Sequence, residues 1–323
     1  MSLPLPRAIA LLLIVAFLPH AAPEAAERVF RVASLSRTED GLQIAQRALP
    51  ELARLGFRQG ENLLVEERAG DPSTLPEIAR ALVAGQPDAI IAIGGEAIRA
   101  AREATSSVPI VTFGGANPVD MGYAASFAHP GGNLTGVVIL GAELDVKRVD
   151  LLHEAVPAMR RIGGLFVPKT PGREPAENEM RSVAAKIGLE FLPFETTGPD
   201  KYPSAFAAMQ AAGVQGVAVM ATPLLYRDVA QLTALSLKTG VPLVCEWAEM
   251  AQAGCLVGYG PDRAELRKRL ANHLAQIFRG LPPGELPIEQ PTRYELAINL
   301  KTAKTLSLTI PQSLVARADE VIE

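Results

Sequence analysis

From residue 29 onward, short apolar runs alternate with segments whose apolar residues fall three and four apart. The runs at 29–35, 62–67, 89–93 and 110–113 have the length and the Val, Ile and Leu content of buried strands. Between them, 42–55, 75–84 and 97–104 carry the spacing of a helix face. Each helix would serve as the crossover that a parallel strand pair requires. The alternation therefore predicts a parallel sheet with helices on both faces, an α/β fold.

Residues 113–137 then leave the pattern. Gly114 and Gly115 end a β-branched strand and leave backbone N–H groups uncovered. Asn117 stands before Pro118, which predicts a helix capped by Asn117 and opened by the proline. The turn Pro130-Gly131-Gly132-Asn133 returns the chain to a strand at 134–140. Afterwards the alternation resumes, with helices at 147–159, 175–187, 203–212 and 224–239 and strands at 161–167, 189–194, 217–220 and 241–245. An internal echo links the halves: the run 89–93, a helix and Val108-Pro109-Ile110-Val111 recur as 217–220, a helix and Val241-Pro242-Leu243-Val244. Two similar lobes follow from it. Last come a strand at 255–259, a helix at 264–279 and a Gly/Pro connector. The stretch 286–291, kept extended by its prolines, suits a crossing between lobes.

The remaining features narrow the class. Arg7, an apolar run at 8–18 and then Pro19 with an Ala-rich stretch read as a secretory signal peptide ending near Ala26. That run is too short to span a membrane, so the expected mature protein is soluble and periplasmic. Its 48% hydrophobic and 20% charged residues fit a globular chain of about two domains over 323 residues. A net charge of -4 without a long Lys/Arg run argues against nucleic acid as a partner. Cys245 and Cys255 are an even pair that permits one disulfide in an oxidising compartment. Their apolar surroundings favour two buried thiols instead.

No P-loop, G-x-S-x-G, H-E-x-x-H or C-x-x-C motif occurs. His129, His153 and His273 have no carboxylate or cysteine at metal spacing, so no metal, cofactor or catalytic residue is expected. What remains is a set of polar residues at the carboxyl ends of the predicted strands, where open α/β sheets bind ligands. In the first half these are Ser34, Ser36, Gly94, Gly95, Glu96, Gly115 and Asn117. In the second half they are Lys169, Thr170, Thr196, Thr222, Glu246 and Tyr259. Hydroxyls and free N–H groups at helix starts hold a carboxylate, and Glu96 or Glu246 pairs with an ammonium. The expected ligand is small and polar, amino-acid-like or a carboxylate, and an amino-acid-like zwitterion satisfies both sets.

Several runs resemble the bacterial ABC-transporter substrate-binding family that includes tryptophan- and tyrosine-binding members. They are Asn117-Pro118-Val119, Pro130 to Gly136, Lys147-Arg148, Gly258-Tyr259-Gly260, Leu286 to Thr292, Asn299 to Lys304 and Arg317 to Glu323. The resemblance implies a type I periplasmic-binding fold: two Rossmann-like lobes, a three-strand hinge and a ligand held between lobes that close on it. The expected lobes are 27–140 with 253–283, and 141–252 with 284–323, after a signal peptide at 1–26. It also implies a monomer that works with an ABC permease and catalyses nothing; an exported sensory module is the alternative. The chain departs from the family where Asn117 replaces a frequent Asp and where Gly94-Gly95-Glu96 replaces a Thr-Pro turn. The ligand of the aromatic amino-acid binders does not carry over on these residues.

Overall fold

Two sheets take up the alternating pattern in the computed structural model, which describes residues 28–115, 117–139, 141–170 and 173–323. The segment read as a signal peptide lies outside the described residues. The first lobe runs β1 (Phe30–Ser36), α1 (Glu39–Arg54), β2 (Leu63–Ala69), α2 (Leu75–Ala84), β3 (Ala89–Ile93), α3 (Gly95–Ala104), β4 (Ile110–Gly114) and β5 (Leu134–Val138). Its strands are parallel in the order β2-β1-β3-β4-β5. The central β3, AIIAI, is buried at every position, as a strand covered by helices on both faces must be.

The second lobe begins with α4 (Gly141–Ala155), β6 (Arg161–Phe166), α5 (Arg173–Lys186), β7 (Glu190–Glu195), α6 (Tyr202–Ala211) and β8 (Gly216–Val219). Then come α7 (Pro223–Arg227), α8 (Val229–Thr239), β9 (Leu243–Cys245), α9 (Glu249–Gln252) and β10 (Val257–Pro261). Helix α10 (Arg263–Phe278) returns to the first lobe, where Leu266, Leu270 and Leu274 join the core that holds Val32 and Leu52. The chain ends with β11 (Tyr294–Asn299), α11 (Leu300–Thr305), α12 (Gln312–Val315) and β12 (Glu320–Ile322). The second sheet has the order β12-β11-β10-β9-β8-β6-β7, and its β7-β6-β8-β9-β10 part repeats the order of the first. The echo in the sequence falls on β3 and β4 in one lobe and on β8 and β9 in the other.

Three passages join the lobes: after β5, after β10 and before β11. At the last two, Asp262 caps α10 by accepting from the N–H groups of Ala264 and Glu265 at 2.7 and 3.2 Å. Glu265 accepts from the Thr292 hydroxyl at 2.5 Å, from Arg269 at 2.6 Å and from the Thr292 and Arg293 N–H groups. Burial pushes the Glu265 carboxyl upward, but these bonds outweigh it and hold the group at about 2.

Several expectations need correction. The segment 253–283, assigned whole to the first lobe, divides: β10 pairs with β9 and β11 in the second sheet, and only α10 packs on the first. Residues 286–291, assigned to the second lobe, lie along the outer edge of β5. There Val137 bridges to Glu289, and the Glu289 N–H donates to the Gly136 carbonyl at 2.8 Å. Pro118 opens a turn rather than a helix, and Asn117 Oδ1 accepts from the Val119 N–H at 2.9 Å. The helix expected over 224–239 breaks between α7 and α8 at Asp228, whose carboxylate accepts from the buried Tyr202 hydroxyl at 2.7 Å. Cys245 and Cys255 form a disulfide, with Cα atoms 6.2 Å apart. Their apolar surroundings were read correctly, but the return of β10 beside β9 brings the two sulfurs together.

Gly258 and Gly260 have a packing reason. A Cβ on Gly258 would lie 2.5 Å from the Trp247 carbonyl oxygen, and one on Gly260 would overlap the Glu246 carbonyl. Strand β10 therefore lies directly against the segment that follows β9. Gly260→Ala is expected to lower stability by about 1–3 kcal/mol through overpacking, measured as a lower urea midpoint. A change of a few tenths would show that this segment yields freely.

Candidate ligand-binding cleft

The carboxyl ends of both sheets face a cleft of about 620 Å³ between the lobes. On the first-lobe side, Gly94, at φ +85°, turns the chain from β3 into α3. No side chain caps α3, so its first N–H groups stay available to an anion. Gly114 makes room for this turn, since a Cβ there would meet the Gly94 Cα at 3.3 Å. Glu96, in the first turn of α3, is held by Arg37 at 3.5 Å.

Aromatic rings and guanidinium groups dominate the rest of the lining, with the rings on the second lobe and Arg263 at the start of α10, where the chain crosses to the first. Arg263 packs over the rings of Tyr226 and Trp247, 4.9 and 5.1 Å from their centroids. It donates to the Tyr226 hydroxyl at 2.7 Å and pairs with Glu249, and that hydroxyl donates to Glu249 at 3.0 Å. Arg173 packs over Phe166 at 5.2 Å and pairs with Glu177 and Glu195. Thr222 caps α7, accepting from the Leu225 N–H at 3.3 Å. Apolar side chains of Ile44, Phe113, Ile139, Met220 and Leu266 fill the wall between these groups.

The floor holds a buried charge cluster. Arg148, 1% exposed, donates through Nη1 to Asp145 at 2.6 Å, through Nε to the Tyr259 carbonyl at 2.8 Å and through Nη2 to the Glu246 carbonyl at 3.0 Å. One side chain of α4 thus ties together the segments after β9 and within β10. Burial lifts the Asp145 carboxyl to about 6 despite the adjacent Arg148 charge. The Glu246 carboxyl stands at about 7: burial raises it and the Asp145 charge adds to the rise. The charges of Arg148 and Arg263 and a hydrogen bond from Trp247 oppose it.

Of the thirteen polar residues singled out at strand ends, Gly94, Gly95, Glu96, Gly115, Asn117, Thr170, Thr222 and Glu246 line the cleft. Five do not. Ser34 and Ser36 are fully buried beneath α1, because the carboxyl end of β1 is covered by that helix. Lys169 is exposed on a turn at φ +60°. Tyr259 stacks on Tyr294, 6.0 Å away, and meets the site only through its carbonyl. Thr196 is buried, its hydroxyl donating to the Gly198 carbonyl at 3.3 Å.

Sequence reasoning missed Asp145, Arg148, Tyr226, Trp247 and Arg263 as site residues. A signal existed for one pair: Asp145 and Arg148 stand three apart among Leu144, Val149 and Leu152, so both charges point into an apolar helix face. Arg263 had no comparable mark, since its aromatic partners come from α7 and from the loop after β9.

The family model for ABC transporter substrate binding protein matches residues 33–322. A tyrosine-binding protein of Clostridioides difficile strain R20291 is 22% identical over 258 residues, 78% of this chain and 73% of that protein. Among solved structures, a conserved domain protein of Vibrio cholerae superposes with a TM-score of 0.84 at 23% identity, covering 91% of this chain and all of that one. A Streptococcus pneumoniae ABC domain in complex with L-Trp gives 0.80 at 21% identity, again over 91% of this chain and all of the other. The fold is that of the type I periplasmic binding proteins.

Proposed function

Because the chain belongs to the ABC transporter substrate-binding protein family, we propose that it is the periplasmic receptor of an ABC importer for an amino-acid-like ligand. It delivers that ligand as a monomer to a membrane permease and catalyses no reaction. The observation that carries this reading is the pairing of opposite chemistries across one cleft. The uncapped start of α3 offers N–H groups to a carboxylate, and Glu246 on the other lobe offers a carboxyl to an ammonium. The shelf of Tyr226 and Trp247 around Arg263, with Phe166 nearby, gives an apolar or aromatic side chain a surface between them. The names of the tyrosine-binding relative and the L-Trp complex support the same class.

A ligand that touches both lobes stabilises the closed form by contacts absent from the open one. Moving the equilibrium from mostly open to mostly closed takes roughly 5 kcal/mol of differential affinity, within reach of a few charge-assisted bonds in a dry cleft. Thermal denaturation with amino acids, simple carboxylates and nucleosides tests the class. Saturation at about 100 times Kd adds about 2.7 kcal/mol, so one or more amino acids should raise Tm by roughly 5 °C. A rise with carboxylates or nucleosides alone would move the ligand to that class.

A further inference from the structure

Two carboxyl groups at the cleft floor share the field of a single buried guanidinium that bonds only one of them. Each nitrogen of Arg148 already has an acceptor: the Asp145 carboxylate, the Tyr259 carbonyl and the backbone carbonyl, not the side chain, of Glu246. The other cation near Glu246 is similarly engaged. Arg263 of α10 is fixed by Tyr226 of α7 and Glu249 of α9, between two aromatic rings. Across the cleft, Glu96 of α3 is paired with Arg37. Among these groups, the Glu246 carboxyl faces the cleft with no ion pair of its own.

We propose that Glu246 is the cleft's ammonium receptor and that it takes its ligand by cation-for-proton exchange. In the free protein the carboxyl keeps its proton up to near neutral pH, because a second anion beside Asp145 has no ion-pair partner of its own. When the ligand's ammonium arrives, the O–H bond breaks, the proton leaves to solvent, and the carboxylate forms an ion pair with the ammonium. Charge balances on both sides, since one cation replaces one proton. The elevated position of the Glu246 carboxyl, at about 7, agrees with this arrangement.

The exchange rests on the amino-acid reading and makes a separate demand on it: affinity must depend on pH with a fixed sign. Protons are released on binding, so affinity rises as pH rises through the free-state value. For a group at about 7 that loses its proton completely on binding, affinity should increase about tenfold from about pH 6 to about pH 8. The ammonium of a free amino acid or of a simple amine, unlike that of a peptide terminus, titrates above this range and stays charged.

Isothermal titration calorimetry with L-tyrosine, tyramine and 3-(4-hydroxyphenyl)propionate tests it. These three share a ring body and carry both charges, the ammonium alone or the carboxylate alone. Repeating each titration in two buffers of different ionisation enthalpy counts the protons exchanged. The expected result is release of about half a proton at pH 7 with L-tyrosine, tighter binding at higher pH, and loss of both effects in Glu246→Gln. L-tyrosine binding without proton release, or equally at both pH values, would overturn the exchange and leave the amino-acid reading standing. If the propionate binds as tightly as L-tyrosine, the ammonium contact is overturned while the chain remains a carboxylate receptor. Failure of all three to bind overturns the exchange together with the aromatic amino-acid class.

Discussion

Arg148→Met is expected to destabilise the folded protein by about 3–5 kcal/mol, the largest effect of any single substitution considered. The methionine fills most of the volume but leaves Asp145, 5% exposed, without its counter-charge. It also strips donors from the carbonyls of Tyr259 and Glu246, which Arg148 holds from a third element of the lobe. Unpaired buried acceptors add their desolvation cost to the lost ion pair. Urea unfolding measures the effect. In the double variant Asp145→Asn with Arg148→Met, part of the loss should return, because the uncompensated charge is gone while the carbonyl bonds remain broken. A loss below about 1 kcal/mol in the single variant would mean that water reaches Asp145 and that the cluster does not hold the floor together.

Removing the disulfide should rank second. Cys245 and Cys255 enclose a short loop, ten residues apart in sequence, and closing a loop of that length restricts the unfolded chain by about 3 kcal/mol. The loss of stability in Cys245→Ser with Cys255→Ser should be of that order. A second consequence separates this bond from an ordinary staple. The enclosed loop carries Glu246, Trp247 and Glu249, which face the cleft or fix Arg263. Ligand affinity should therefore fall in the double serine variant even at temperatures where it remains folded, and reduction of the native protein with dithiothreitol should do the same. Unchanged affinity in a folded, reduced protein would show that Arg148 and the packing of β10 suffice to position the loop.

Much of the fold was legible because parallel strands buried on both faces write themselves as unbroken apolar runs. Residues 89–93 and 75–84 were bounded as they occur in β3 and α2. Where the reading failed, distant contacts decided. Asp228 interrupts a helical pattern because it serves the Tyr202 hydroxyl from another helix. The division of 253–283 depends on which sheet lies beside β9, a choice that periodicity does not encode. The site divides along the same line. Its glycine turns and strand-end hydroxyls are local features, so Gly94, Gly95, Thr170 and Thr222 were recognisable. The buried Arg148 and the stacked Arg263 take their meaning from partners up to 111 residues away. Ser34 and Ser36 end a strand whose carboxyl end α1 covers, and nothing in the pattern of β1 alone reveals that cover.

The stretch along β5 has a bearing on how copies of this chain behave toward one another. An outermost strand with free N–H and C=O groups is a template for pairing with a second molecule. Here that position is occupied by 286–291, whose Glu289 N–H donates to Gly136 of β5 while the Ile288 N–H is taken by the carbonyl of Phe127 in the preceding loop. Pro287 and Pro291 have no N–H to present outward. At the opposite margin, β2 alternates one buried and three half-buried positions with exposed ones, and two of the exposed residues, Glu66 and Arg68, form an ion pair at 2.8 Å. Both margins of the first sheet are thus poor seeds for sheet extension, which keeps crowded molecules from stacking edge to edge.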